Sequence, residues 1–167
     1  TERRLWDPRT SQDIRDLALR ADGTSALTIY TRDVIGDIPA TIPFKDDAIY
    51  SGFMRHLDSL ETSDQIEDWK AYPYDWRYSA YDVVNNGALK GDGSREYLDQ
   101  VVAQLASTSD SGKVTIIAHS NGGLVAKALM RKLEQTGKTG LVDRIILVAT
   151  PEAGTPRAFY GLLHGRE

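Results

Sequence analysis

The sequence contains no cysteine in its 167 residues, which excludes disulfides and thiolate metal sites and leaves the redox compartment unread. Only three histidines are present, His56, His119 and His164, so any imidazole base must be one of them. No metal-ligand pattern appears and no cofactor is implied. No apolar run is long enough to span a bilayer, and Thr1 does not open a signal-peptide pattern, so compartment is unreadable. Charge of one sign is also scarce in excess: 20 basic residues against 24 acidic give −4. Without a basic cluster, a nucleic-acid partner is not expected. Repeats and low-complexity tracts are absent. What remains is an ordinary globular composition, 41% apolar and 26% charged, long enough for one domain with a real core.

Hydrophobic periodicity orders the chain. Ile14, Leu17 and Ala18 fit a short helix, and Leu27 to Tyr30 fit a short strand. Thr31 to Pro43 carries Gly36, Pro39 and Pro43 without a period and reads as a loop or cap segment. Asp46 or Asp47 is placed to cap a helix through Tyr50, Phe53, Met54 and Leu57 that ends near Leu60. A strand is expected to end close to Pro73, and Asn85 to Gly93 is turn-rich. Ser94 is placed to cap a helix with Leu98, Val101, Val102 and Leu105 on one face. Two Val/Ile-rich runs, Val114–Ala118 and Ile145–Ala149, flank a helix lined by Leu124, Val125, Ala128, Leu129 and Leu133. Neither run alternates with polar residues, which predicts strands covered on both faces. The intervening helix predicts a parallel pair with a right-handed crossover, hence an α/β protein.

Between the first run and its helix lies Ala118-His119-Ser120-Asn121-Gly122-Gly123. A strand, a serine set among small residues, then a helix is the context of a nucleophile elbow, with Ala118 where G-x-S-x-G has its first glycine. A serine hydroxyl needs a base and a set of dipoles for the oxyanion that follows attack on a carbonyl. The helix N-terminus supplies dipoles, and the backbone N–H of Asn121 is the expected oxyanion amide, its side chain being incidental. Ser120 is therefore the candidate nucleophile. The base is not assignable. His119 adjoins the serine and is expected to point away from it, beside the strand or against loops. His56 falls on a helix surface, and His164 follows too soon after Ser120 with no further strand between. Asp143 precedes its strand, at the wrong edge for the acid; Glu152 follows a strand end, at the correct edge, where a solvated glutamate is the commoner role.

Three stretches together resemble one family. Ala71-Tyr72-Pro73-Tyr74-Asp75-Trp76-Arg77, the elbow Ile117–Gly123, and Val148-Ala149-Thr150-Pro151-Glu152-Ala153-Gly154-Thr155-Pro156 are similar, in order and spacing, to the lecithin:cholesterol acyltransferase-like branch of the α/β-hydrolases. The resemblance implies a partial α/β-hydrolase fold: a mostly parallel sheet, flanking helices and the elbow. It also implies a serine-dependent acyl-ester hydrolase or O-acyltransferase (lipase, phospholipase or esterase-like) acting on an acyl-ester or lipid through an acyl-enzyme on Ser120. Tyr74, Trp76, His119 and Glu152 are the candidate substrate contacts, and Asp75 with Arg77 is expected to anchor a loop by charge-assisted hydrogen bonds. The whole chain, 1–167, reads as a single incomplete domain with a cap or lid segment within 1–67 and the hydrolase core in 68–156. The second oxyanion loop and the triad's acid and base are not found, so the chain is expected to be the centre of a longer enzyme and inactive alone. A non-catalytic binding module of the same fold is the alternative reading.

Overall fold

The computed structural model describes residues 11–36 and 49–156. β3 (Val114–His119) and β4 (Val142–Val148) pair in parallel, with Ile116 opposite Ile145, Ile117 opposite Ile146 and His119 opposite Val148. The connection between them is α5 (Gly122–Gln135), followed by a 3-10 turn at Thr139–Leu141. This is the strand–helix–strand unit the two aliphatic runs predict, although β4 begins at Val142 and ends at Val148. One face of the pair is packed: Ala118 is buried and Val114, Ile116 and Val142 lie against the core cluster. On the other face Thr115, Ile117 and His119 are exposed, together with Ile146 and Val148. The expectation of cover on both faces is therefore corrected among the described residues.

The core sits where α5 meets α3 (Ala80–Asn86) and α4 (Leu98–Thr108). Val83, Val84, Val102, Val125, Ala128, Leu129 and Leu133 form one buried cluster. Leu129 and Leu133, one turn apart on α5, are completely buried, each contributing about 2 kcal/mol by removal of apolar surface from water. Tyr72, Tyr74 and Tyr78 pack their rings against this cluster from the preceding loop. α3 was not legible as a helix, yet its start carries a cap signature: Ser79 Oγ accepts the N–H of Asp82 at 3.1 Å.

Five local expectations change. Leu27–Tyr30 forms no strand; the only local pairing there is a single bridge between Leu19 and Ser25. The segment running into Pro73 forms no strand and joins neither sheet among the described residues. A two-stranded hairpin replaces part of the turn-rich span: β1 (Ala88–Leu89) pairs antiparallel with β2 (Arg95–Glu96). Ser94 consequently belongs to the hairpin turn, where its N–H bonds Asp92 Oδ1 at 2.9 Å, and Tyr97 is the N-cap of α4 with no side-chain cap bond. The early helices occur as α1 (Ser11–Leu17) and α2 (Ser51–Thr62). Tyr50, not Asp46 or Asp47, is the N-cap of α2; both aspartates lie outside the described residues.

Asp75 and Arg77 form the anchor expected of them. The guanidinium meets the carboxylate in a two-pronged contact, Nε to Oδ1 at 2.8 Å and Nη2 to Oδ2 at 2.6 Å. Its remaining amine bonds Leu17 O and Ser25 Oγ, each at 3.1 Å, so one side chain ties the end of α1 to the loop before α3. The Arg77 side chain is only 4% exposed, and the Asp75 hydrogen bond holds its pKa above the ordinary value.

Candidate functional site

The C-terminal ends of β3 and β4 lie side by side, and each strand leaves the sheet through a strained residue. Ser120 follows β3 with φ of 51°, and Ala149 follows β4 with φ of 50°. The left-handed region costs a residue with a Cβ on the order of 1–2 kcal/mol, so both turns must be held by their surroundings. The Ser120 N–H donates to Val148 O at 2.9 Å, which locks the first turn onto the end of β4. Its carbonyl accepts the Gly123 N–H at 3.0 Å, which starts α5 immediately. The strand-to-helix reversal thus occurs within two residues, Ser120 and Asn121, and the serine side chain stands exposed at its tip. Among the described residues the Ser120 hydroxyl has no hydrogen-bond partner.

Asn121 takes helical angles, φ −56° and ψ −26°, as N-cap of α5 and makes no side-chain cap bond. Its own backbone N–H has no acceptor among the described residues and sits at the positive end of a 14-residue helix. The Asn121 side chain is not incidental, however. Nδ2 donates to Tyr74 Oη at 3.2 Å, across 47 residues of sequence. Burial raises the Tyr74 pKa, so the phenol remains neutral around neutral pH.

His119 is also engaged. Its Nδ1 lies 2.6 Å from Tyr50 Oη, and the two rings meet edge to face with centroids 5.7 Å apart. It makes no hydrogen bond to Ser120. Of the other histidines, His56 lies exposed on α2 and His164 falls outside the described residues. Asp143, paired loosely with Lys113 at 4.0 Å, stands at the start of β4, the end opposite Ser120. Glu152 follows β4 on the same end as Ser120, but its carboxylate is taken by Lys127 of α5.

Gly123 shows why this turn needs its second glycine. A Cβ built there would stand 2.0 Å from Thr150 Oγ1 and 2.5 Å from Thr150 Cγ2. The loop after β4 therefore presses directly on the first turn of α5, and the Thr150 hydroxyl is buried there with no hydrogen-bond partner among the described residues. The Ala149 turn that delivers Thr150 leaves no trace in sequence, because alanine is not a residue that signals positive φ.

The structure thus brings Ser120, Asn121, His119 and Tyr74 to one place, with Tyr50 as an addition the sequence did not reveal. Trp76 is 60% exposed and is linked to this group by no contact among the described residues. Among the described residues one hollow is lined by Tyr81, Leu124, Lys127 and Arg131 and another by Thr31, Tyr74, Asp75 and Arg77; Ser120 lines neither. Among the described residues no cluster of three or more metal-ligating side chains occurs, and no helix is long and apolar enough to cross a membrane. No curated protein and no solved structure matches the chain significantly. The family model for lecithin:cholesterol acyltransferase matches residues 3–167, nearly end to end, and the chain belongs to that family.

Proposed function

We propose that the intact protein is a serine-dependent acyl-ester hydrolase or O-acyltransferase on an α/β-hydrolase fold, with Ser120 as nucleophile. The observation that carries this reading is the Ser120 turn itself. A non-glycine residue at φ 51° links a parallel strand to a helix, with its side chain exposed and the next N–H unspent. Ser120 Oγ attacks the ester carbonyl as a base removes its proton. The tetrahedral oxyanion is stabilised by the Asn121 N–H and the α5 dipole, and the alcohol departs with a proton to leave the acyl-enzyme. Water then releases the acid, or a second alcohol takes the acyl group. The base and acid are unassigned, since no described histidine or carboxylate is hydrogen-bonded to Ser120. Family membership supports an acyl-ester or lipid as substrate.

Tyr74, Trp76, His119 and Glu152 remain the substrate-contact set, with Trp76 offering the largest exposed apolar surface. Residues 68–156 act as the hydrolase core of a single domain, and the segment within 1–67 acts as the cap or lid. Ser120→Ala in the intact protein should abolish hydrolysis of nitrophenyl acyl esters, while the isolated 167-residue chain should show negligible turnover. Full activity in Ser120→Ala would end the proposal. Robust, Ser120-dependent activity in the isolated chain would instead refute the claim that its catalytic partners lie elsewhere.

A further inference from the structure

We infer that Tyr50 and Tyr74 are positioning residues that brace the Ser120 turn through its two sequence neighbours. The inference rests on the reading of Ser120 as nucleophile. A left-handed serine persists only where its surroundings over-determine it, and backbone bonds to Val148 and Gly123 fix its main chain. The flanking side chains are then each held by a phenol from far along the chain. Tyr50 Oη meets His119 Nδ1 at 2.6 Å, and Asn121 Nδ2 donates to Tyr74 Oη at 3.2 Å.

Each phenol is itself well placed. Tyr50 starts α2, where the N–H groups of Ile49, Tyr50 and Ser51 all converge on Gly36 O at 2.9 to 3.2 Å. Since α2 has no buried residue, this fixed start and the His119 contact locate the Tyr50 ring. Tyr74 packs its ring on the cluster containing Val83 and Leu129, so its hydroxyl reaches Asn121 from a rigid base. Tyr50 Oη and His119 Nδ1 share one hydrogen bond, whose donor is set by the imidazole tautomer, and either way it ties the ring beside Ser120 to the start of α2. On the other side, the Nδ2 bond to Tyr74 ties Asn121, the N-cap of α5 that carries the unspent N–H beside the serine, to the core. Neither tyrosine is assigned contact with the reacting atoms, and the substrate contact proposed for Tyr74 is made by its ring, which Tyr74→Phe keeps.

The test uses the intact protein and three readouts: the second-order rate at which a fluorophosphonate labels Ser120, kcat and KM for a nitrophenyl ester, and Tm. Tyr50→Phe and Tyr74→Phe keep the rings and remove one hydrogen bond each. Each should slow labelling and lower kcat about threefold to tenfold, the worth of one such bond, while KM holds. The double variant should fall further than either. Tyr50→Phe should leave Tm unchanged, which separates positioning from a general loss of fold. If Tyr74→Phe unfolds, Asn121→Ala removes the same bond from the exposed side and keeps the backbone amide. Labelling at the wild-type rate in Tyr50→Phe and in the Tyr74 or Asn121 variant overturns the inference, as does an equal slowing in Tyr81→Phe, whose ring is exposed and makes no hydrogen bond to His119 or Asn121 among the described residues. A wild-type protein that hydrolyses esters but is never labelled at Ser120 would instead defeat the nucleophile reading.

Discussion

Substituting Gly123 by alanine sets two effects of known size against each other. In a helix, replacing glycine by alanine stabilises by up to about 1 kcal/mol through backbone entropy. At Gly123 the new methyl would lie 2.0 Å from Thr150 Oγ1, 2.5 Å from Cγ2 and 2.8 Å from Cβ, all within distances that real Cβ atoms essentially never show. Forced overpacking of this kind costs about 1–3 kcal/mol, and here the obstructing residue cannot swing clear easily. Thr150 is β-branched and follows the strained Ala149 turn. The clash should win, giving a net loss of about 1–2 kcal/mol, or roughly 2–8 °C in Tm for a protein of this size. Gly52 of α2 supplies the control, because a Cβ there meets nothing nearer than 4.0 Å; Gly52→Ala should be neutral or stabilising by about 0.5 kcal/mol. Thr150→Ala in the Gly123→Ala background should recover part of the loss, leaving the 2.8 Å Cβ approach, and Thr150→Gly should recover more of the clash. Urea denaturation of the four variants measures this directly. A Gly123→Ala protein as stable as wild type would refute the claim that the β4 loop presses on the start of α5.

Three further outcomes follow from the same packing. Arg77→Ala removes a buried guanidinium that serves Asp75, Leu17 O and Ser25 Oγ, and should cost about 3 kcal/mol in urea denaturation; a loss below about 0.5 kcal/mol would mean the anchor is not made. Arg77→Lys should not restore it, since a single ammonium cannot reproduce the two-pronged contact. Burial raises the Tyr72 pKa from 10.0 to about 12, and its hydroxyl donates to Glu96 O at 2.8 Å. The fold therefore favours the neutral phenol, so its contribution is complete below pH 10 and is lost as pH rises from 10 through 12. The alkaline fall in stability should be shallower in Tyr72→Phe, and identical pH profiles would count against this.

How much the sequence revealed depends on how local each determinant is. β3, α5 and β4 were readable because Val114–Ala118 and Ile145–Ala149 are dense in β-branched residues and the helix between them has a clear 3.6-residue stripe. The turn at Ser120 was readable because strand, small residues and helix occur in immediate succession. α3 escaped because seven residues give too few periods, although Ser79 and Asp82 signalled its start. β1 and β2 escaped because two-residue strands have no alternation. The strand expected before Pro73 was a propensity argument without a partner, and strands need one. Within the site, Tyr50 with His119 and Tyr74 with Asn121 join positions 69 and 47 residues apart, a closeness that only the folded chain creates. The Asn121 side chain was misjudged for the same reason: nothing adjacent in sequence points to its partner. Thr150 against Gly123 lies between these cases, since two glycines in succession leave room for a close approach but do not say what approaches.

The central claim is that Ser120 carries the chemistry, and adduct mapping tests it most directly. The intact protein should be treated with a fluorophosphonate, its mass measured, and the modified peptide sequenced. A single adduct on Ser120, absent from Ser120→Ala and formed in step with loss of ester hydrolysis, is the predicted result. An active enzyme that carries no adduct on Ser120, or that loses its activity through a modification elsewhere, would contradict it.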